Sequence, residues 1–185
     1  MVEGLLRLRA EGAIAEVSLG MNTDAAPGRD PGGPLRLLQD APAETFDCVL
    51  LAGGWNLLCQ DGIATMAECE RRGIPVHVAG VFGSGLLADA NSTYAYGPPS
   101  EAVSGRAEQW RALASAHGVS VVAVALAFAV LPACVSHVVL GMASAVEVSA
   151  NVAALAENVP IELFREAQRR GLLAAQLQLP ESGSM

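Results

Sequence analysis

Apolar residues recur along this chain with two different periods, and the switches between them mark its elements. Residues 2–11 (VEGLLRLRAE) set Leu5, Leu6 and Leu8 among charges at helical spacing, and Gly12 ends the run. Residues 13–21 (AIAEVSLGM) then read as a strand, followed by a Pro/Gly-rich loop from Pro27 to Pro34. Phe46–Ala52 (FDCVLLA) is a continuous apolar run stopped by Gly53-Gly54, which predicts a strand buried on both faces. Residues 61–72 are helical with Gly73 as C-cap, and Ile74–Phe82 (IPVHVAGVF) is the next buried strand. A glycine-rich turn at Gly83–Ala88 and a polar, proline-bearing loop at 91–100 follow. Glu101–His117 reads as a helix, whereas Val119–Leu131 fits helix or strand. Ser136–Leu140 is a short strand, Ser144–Glu157 a helix with a serine N-cap, and Pro160–Arg170 a helix closed by Gly171. Four strands alternating with helices predict an α/β fold with a parallel sheet, organised as a single domain over residues 1–185.

Composition changes this picture in three places. Gly118–Ser136 (GVSVVAVALAFAVLPACVS) carries no charge and is about as long as a bilayer span. It holds Ser120, Ser136 and Pro132, with no basic cluster at its ends, so a buried helix followed by a turn and strand is expected, and no membrane association. The N-terminus has Glu3, Arg7, Arg9 and Glu11 in place of an apolar core, which speaks against a secretory signal. The four cysteines form no CxxC pair, which argues against a zinc site or a disulfide framework; free thiols in a reducing cytoplasm are expected, with no metal. A net charge of −8 disfavours nucleic acid as a partner. All 11 basic residues are arginines, so a Schiff-base lysine or a P-loop lysine is excluded from this polypeptide.

In parallel α/β proteins, ligands bind at the carboxyl ends of strands. The candidate segments are therefore Gly20–Asn22, Gly53–Asn56, Gly83–Leu86 and Gly141–Ser144, and each carries glycine, which lets a backbone approach a ligand closely. Glycines also cap short strands for structural reasons alone. Gly83-Ser84-Gly85-Leu86-Leu87-Ala88 fits the G-x-G-x-x-A form of a Rossmann turn, but the acidic residue that form requires at the next strand tip is missing. Ser84 lacks the preceding glycine of a nucleophile elbow, because Phe82 stands there. His77 alternates with Val76 and Val78 and could face an interior, although a lone strand histidine is more often a hydrogen-bonded core residue. Trp55 follows Gly53-Gly54 at a strand end, where an indole either stacks on a flat ligand ring or packs the rim of the fold.

The segments VSLGMN (17–22), FDCVLLAGGWNLL (46–58), RRGIPVHVAGVFGSGLLAD (71–89), YAYGPP (94–99) and VVLGMASAVEVSANVAAL (138–155) resemble, in this order, consecutive blocks of the aldo-keto reductases. The most similar branch is that of the D-threo-aldose, L-fucose and pyridoxal dehydrogenases, whose tail RRGLLA (169–174) with Pro180 also fits. The resemblance implies a (β/α)8 TIM barrel of which this chain carries the C-terminal half, strands five to eight with their outer helices. It implies a nicotinamide dinucleotide as cofactor. Ser18 and Asn22 would hold the carboxamide, Trp55 would stack on the nicotinamide, and Phe82, Gly83, Ser84, Gly85 and Leu86 would hold the pyrophosphate. Gly141, Ser144, Glu147 and Asn151 would grip the adenosine end.

The chain departs from the family at Ala143, Glu147 and Ala150. A carboxylate at Glu147 would repel a 2′-phosphate and accept from a 2′-hydroxyl, so NAD is expected over NADP. The family's Asp/Tyr/Lys/His tetrad belongs to the first half of the barrel; this chain has no lysine, and its two tyrosines, Tyr94 and Tyr96, fall in the loop after strand seven. The expectation is a cofactor-binding half, with no catalytic residue of its own, that would meet a small aldose or aldehyde only when completed by the missing half. Its open sheet edges would favour self-association. A non-catalytic nucleotide-binding or interaction module, or a Rossmann-type domain recognised by a helix starting directly at Gly83–Ala88, are the alternatives.

Overall fold

A computed structural model describes residues 2–23 and 29–180 of the chain. Its centre is a four-stranded, wholly parallel sheet of β1 (Ser18–Asn22), β2 (Cys48–Ala52), β3 (Val76–Ala79) and β4 (Val135–Val139), in the order of the sequence. Helices α1 (Val2–Ala10), α2 (Gly33–Asp40), α3 (Ile63–Arg72), α4 (Glu101–Ala116), α5 (Val121–Ala129), α6 (Ala145–Leu155) and α7 (Ile161–Arg169) flank it. Consecutive parallel strands with helical crossovers are the arrangement expected of half a (β/α)8 barrel.

The strands differ from expectation on one point of substance. β2 and β3 were expected to be buried on both faces, but burial alternates along them. Val49, Leu51, Val76 and Val78 have no exposed surface, whereas Leu50, Ala52, His77 and Ala79 are half-buried. One face of the sheet packs on helices and the other is open. Gly20 lies beside Leu50 on the open face, Asn22 is exposed there, and on β4 His137 and Val139 are exposed. The continuous apolar run in β2 thus records one deeply buried face and one partly covered face.

The helical side is a conventional core, in which Trp55, Trp110, Phe128 and Phe164 are buried side chains at most 1% exposed. The stretch that fitted helix or strand is α5, capped by Ser120, whose hydroxyl accepts from Ala123 N–H; Val124, Phe128 and Ala129 are fully buried in it. The uncharged stretch at 118–136 is therefore broken into helix, turn and strand. No described single helix is long and apolar enough to cross a membrane, and α4 meets α5 at 102°. α2 was not anticipated: Pro34 sits in its first turn, where a missing N–H costs nothing, so the Pro/Gly patch starts a helix as well as a loop. Pro27 and Gly28 of that patch lie outside the described residues. At the chain's beginning, Asp47 accepts from Val17 N–H at 2.7 Å and from Arg9 Nη1 at 2.6 Å, joining α1 and the entry of β1 to β2. Those two bonds, the backbone one foremost, hold the Asp47 carboxyl below its ordinary range.

Candidate functional site at the carboxyl ends of the strands

The second and third strands each end in a loop with a glycine where a larger residue would clash. At the end of β2, Gly54 packs against the buried Thr23, and a Cβ there would lie 2.0 Å from Thr23 Oγ1. Asn56, 1% exposed, ties two strand ends together. Its Nδ2 donates to Gly53 O at 2.9 Å and to Gly80 O at 3.2 Å, while its Oδ1 accepts from Leu58 N–H and Cys59 N–H. An amide that uses both donors and its oxygen in this way is an internal brace.

Beyond β3 the chain makes successive turns, and Gly83, Ser84 and Gly85 all take positive φ (56°, 55° and 94°). Glycine suits that conformation, and at Gly83 a Cβ would also strike Leu58 at 2.8 Å. The N–H groups of Gly83, Gly85, Leu86 and Leu87 donate to carbonyls within the loop, so the group turned outward is the exposed Ser84. The loop does not open into a helix: the next one begins at Glu101. The Rossmann alternative fails on that geometry, since a helix N-terminus directly after the glycines is what such a turn supplies. α4 holds both loops from below. Trp110 Nε1 donates to Leu57 O at 2.9 Å, and Arg111 Nη2 donates to Leu86 O at 2.6 Å.

Two adjoining cavities lie at this end of the sheet. The larger, about 720 Å³, is lined by Phe82, Ser84, Gly85, Asp89, Tyr96, Gly141, Glu147 and Asn151 among others. The smaller, about 120 Å³, takes in Asn22, Arg29, Gly53, Asn56, Gly83, Ser84 and Tyr96. The structure thus brings together Asn22, Phe82, Gly83, Ser84, Gly85, Gly141, Glu147 and Asn151. It places the other four expected residues elsewhere. Ser18 opens β1, about 13 Å along the strand from Asn22. Leu86 is buried under the loop. Ser144 caps α6, accepting from Glu147 N–H. Trp55 turns toward the helices, where its ring stacks on Phe128 with centroids 4.7 Å apart.

Glu147 has a local partner that its expected role did not include. Its Oε2 accepts from Ala143 N–H at 3.0 Å while Ser144 Oγ accepts from Glu147 N–H, a reciprocal pairing like a capping box that reaches one residue before the N-cap. The S-x-x-E spacing at 144–147 carried that signal in the sequence. Tyr96 was missed as a site residue. The Tyr94–Gly97 pair closes a tight turn with Ala95 and Tyr96 at positive φ, and Tyr96, 83% exposed, borders both cavities. The Arg29 guanidinium lies 5.8 Å from the centre of its ring. Burial first, and the neighbouring Cys134 next, push the Cys69 thiol up to about 12. Among the described residues no three His, Cys, Asp or Glu side chains converge as a metal cluster.

Comparison with known proteins agrees with this architecture. The Aldo/keto reductase family pattern matches residues 7–169. A pyridoxal 4-dehydrogenase of Microbacterium luteolum is 27% identical over 175 residues, which cover 92% of this chain and 48% of that protein. A D-threo-aldose 1-dehydrogenase of a Pseudomonas species is also 27% identical, over 168 residues covering 88% of this chain and 48% of that protein. The chain spans about half the length of these curated relatives. With its four parallel strands, outer helices and a family match over most of its length, the chain belongs to the aldo/keto reductase family.

Proposed function

We propose that this chain is the cofactor-holding half of an NAD-linked oxidoreductase and binds a nicotinamide dinucleotide across the two strand-end cavities. The observation that carries the reading is the 720 Å³ cleft, where Phe82, Ser84 and Gly85 from the β3 loop face Gly141, Glu147 and Asn151 around α6. The residues fit such a group in shape: no side chain projects at Gly83, Gly85 or Gly141. The charged lining is Arg29 in the smaller cavity and Asp89 and Glu147 in the larger.

In this reading Ser84 meets the pyrophosphate, Asn151 and Glu147 meet the adenosine end, and Asn22 reaches the carboxamide. Tyr96, exposed between the cavities, takes the stacking role first expected of Trp55. The bound nicotinamide supplies hydride transfer. The residues here orient it and provide no proton donor activated by lysine, so turnover of an aldose or aldehyde requires groups from outside this chain. The Glu147 carboxylate disfavours the 2′-phosphate of NADP.

Calorimetric titration tests the proposal. NAD should bind saturably and about fivefold or more tightly than NADP, the discrimination expected of one like-charge contact. Gly141→Leu should weaken NAD about tenfold or more, because the space around Gly141 is open and a side chain there fills the cleft without strain. Absence of saturable NAD binding, or an unchanged affinity in Gly141→Leu, contradicts the reading; tighter NADP contradicts its cofactor preference.

A further inference from the structure

Away from the strand ends, the open face of the sheet carries a second concentration of chemistry, His77 on β3 beside His137 on β4. The two are partners in the parallel ladder, and their rings meet edge-on with centroids 4.6 Å apart. A β-bulge creates this pairing. Val76 pairs with Val135, and the next pair is His77 with His137, so Ser136 is the extra residue. In an unbroken ladder Ser136 would stand opposite His77 and His137 would turn toward the helices, because successive residues point to opposite faces. Bulges re-aim side chains in this manner. The displaced serine also orients the ring: Ser136 Oγ donates to Val76 O at 3.3 Å, which leaves it to accept from His137 Nδ1–H at 3.1 Å. In the tautomer that donates from Nδ1, Nε2 is left as the ligating nitrogen, the arrangement usual for a metal-bound imidazole.

We propose that His77 and His137 form a bidentate site for a divalent transition-metal ion on the open sheet face. Imidazole nitrogen suits zinc, nickel and copper. With metal–nitrogen bonds of about 2.0–2.1 Å, two imidazoles on one ion hold their ring centres about 4.5–5.2 Å apart for bond angles between right and tetrahedral. The observed 4.6 Å lies in that span. Among the described residues no further His, Cys, Asp or Glu completes a set of three, so the site is a two-nitrogen chelate with its other positions open. Cysteine spacing gives no sign of this pair, whose members are 60 residues apart and meet only through the strand register.

Zn²⁺ titration of the full chain against a chromogenic chelator is the test. Saturable binding should weaken at least tenfold in both H77Q and H137Q and stay unchanged in H117Q, whose imidazole pairs with Glu166 elsewhere. Cu²⁺ added to the unsubstituted chain gives a readout that does not depend on any variant folding: its electron paramagnetic resonance should show coupling to two nitrogens. No saturable Zn²⁺ binding, a loss below tenfold in either H77Q or H137Q, or a Cu²⁺ signal without two-nitrogen coupling overturns the site and leaves ring packing as the role of the pair.

Discussion

On the side of the sheet turned to the helices, Leu19, Val49, Leu51, Val76 and Val78 are at most 8% exposed. On the other side, the same strands present Gly20, Asn22, Leu50, His77 and His137, each exposed or half-buried. Both sets alternate residue by residue along identical backbone, so strand propensity cannot distinguish them. What differs is the layer packed against each: α5 and its neighbours cover one face, and no described element fills the other. Stability is concentrated on the helical face, while the strand ends and open face carry the polar groups. Packing and the proposed binding chemistry thus sit on separable residues of this domain.

Paired truncations on β2 should show the contrast most strongly. Leu51→Ala empties a fully buried position and should cost about 2–5 kcal/mol in denaturant unfolding, against less than about 1 kcal/mol for the neighbouring Leu50→Ala. Equal losses at the two positions would mean that the open face is packed as firmly as the helical one. The strand-end brace comes next. Asn56→Ala removes the acceptor of Leu58 N–H and the side-chain bonds that tie Gly53 O to Gly80 O, and should cost about 1–3 kcal/mol. Unfolding that matches the parent protein would remove Asn56 from the scaffold of the site.

The smallest effect concerns acid. Hydrogen bonds from Arg71 and Arg72 lower the Glu68 carboxyl from 4.5 to about 2 on the helical side of the sheet. Ionised Glu68 is favoured in the folded chain, so its contribution is complete above the ordinary glutamate range. It declines as pH falls below about 4.5 and is lost below about 2. Glu68→Gln should therefore be less stable than the parent near neutrality, with a difference that shrinks as pH falls below about 4.5 and vanishes near 2. A difference that persists undiminished in acid would contradict the assignment.

Much of the scaffold was legible in the sequence because period and punctuation agree there: α3 ends at Gly73 in the left-handed conformation, and α6 begins at Ser144, whose hydroxyl accepts from Glu147 N–H. What stayed hidden depended on direction or register. Trp55 follows a strand end in sequence, yet its ring lies against Phe128, an orientation that no local pattern specifies. Ser18 and Asn22 belong to one short strand but to its opposite ends. The His77–His137 pair requires both the β3–β4 register and the bulge at Ser136. α2 is hidden in the sequence because Pro34 marks a loop as readily as a first helical turn, which tolerates it.

Cofactor binding, as proposed, should belong to the strand-end cleft and leave the core untouched. Amide hydrogen exchange measured by mass spectrometry, with and without saturating NAD, tests this most directly. Slower exchange should appear in segments containing residues 83–89 and 141–151, with α3 and α7 unchanged. No protection in those two segments, or protection confined to the helical face, would contradict the account.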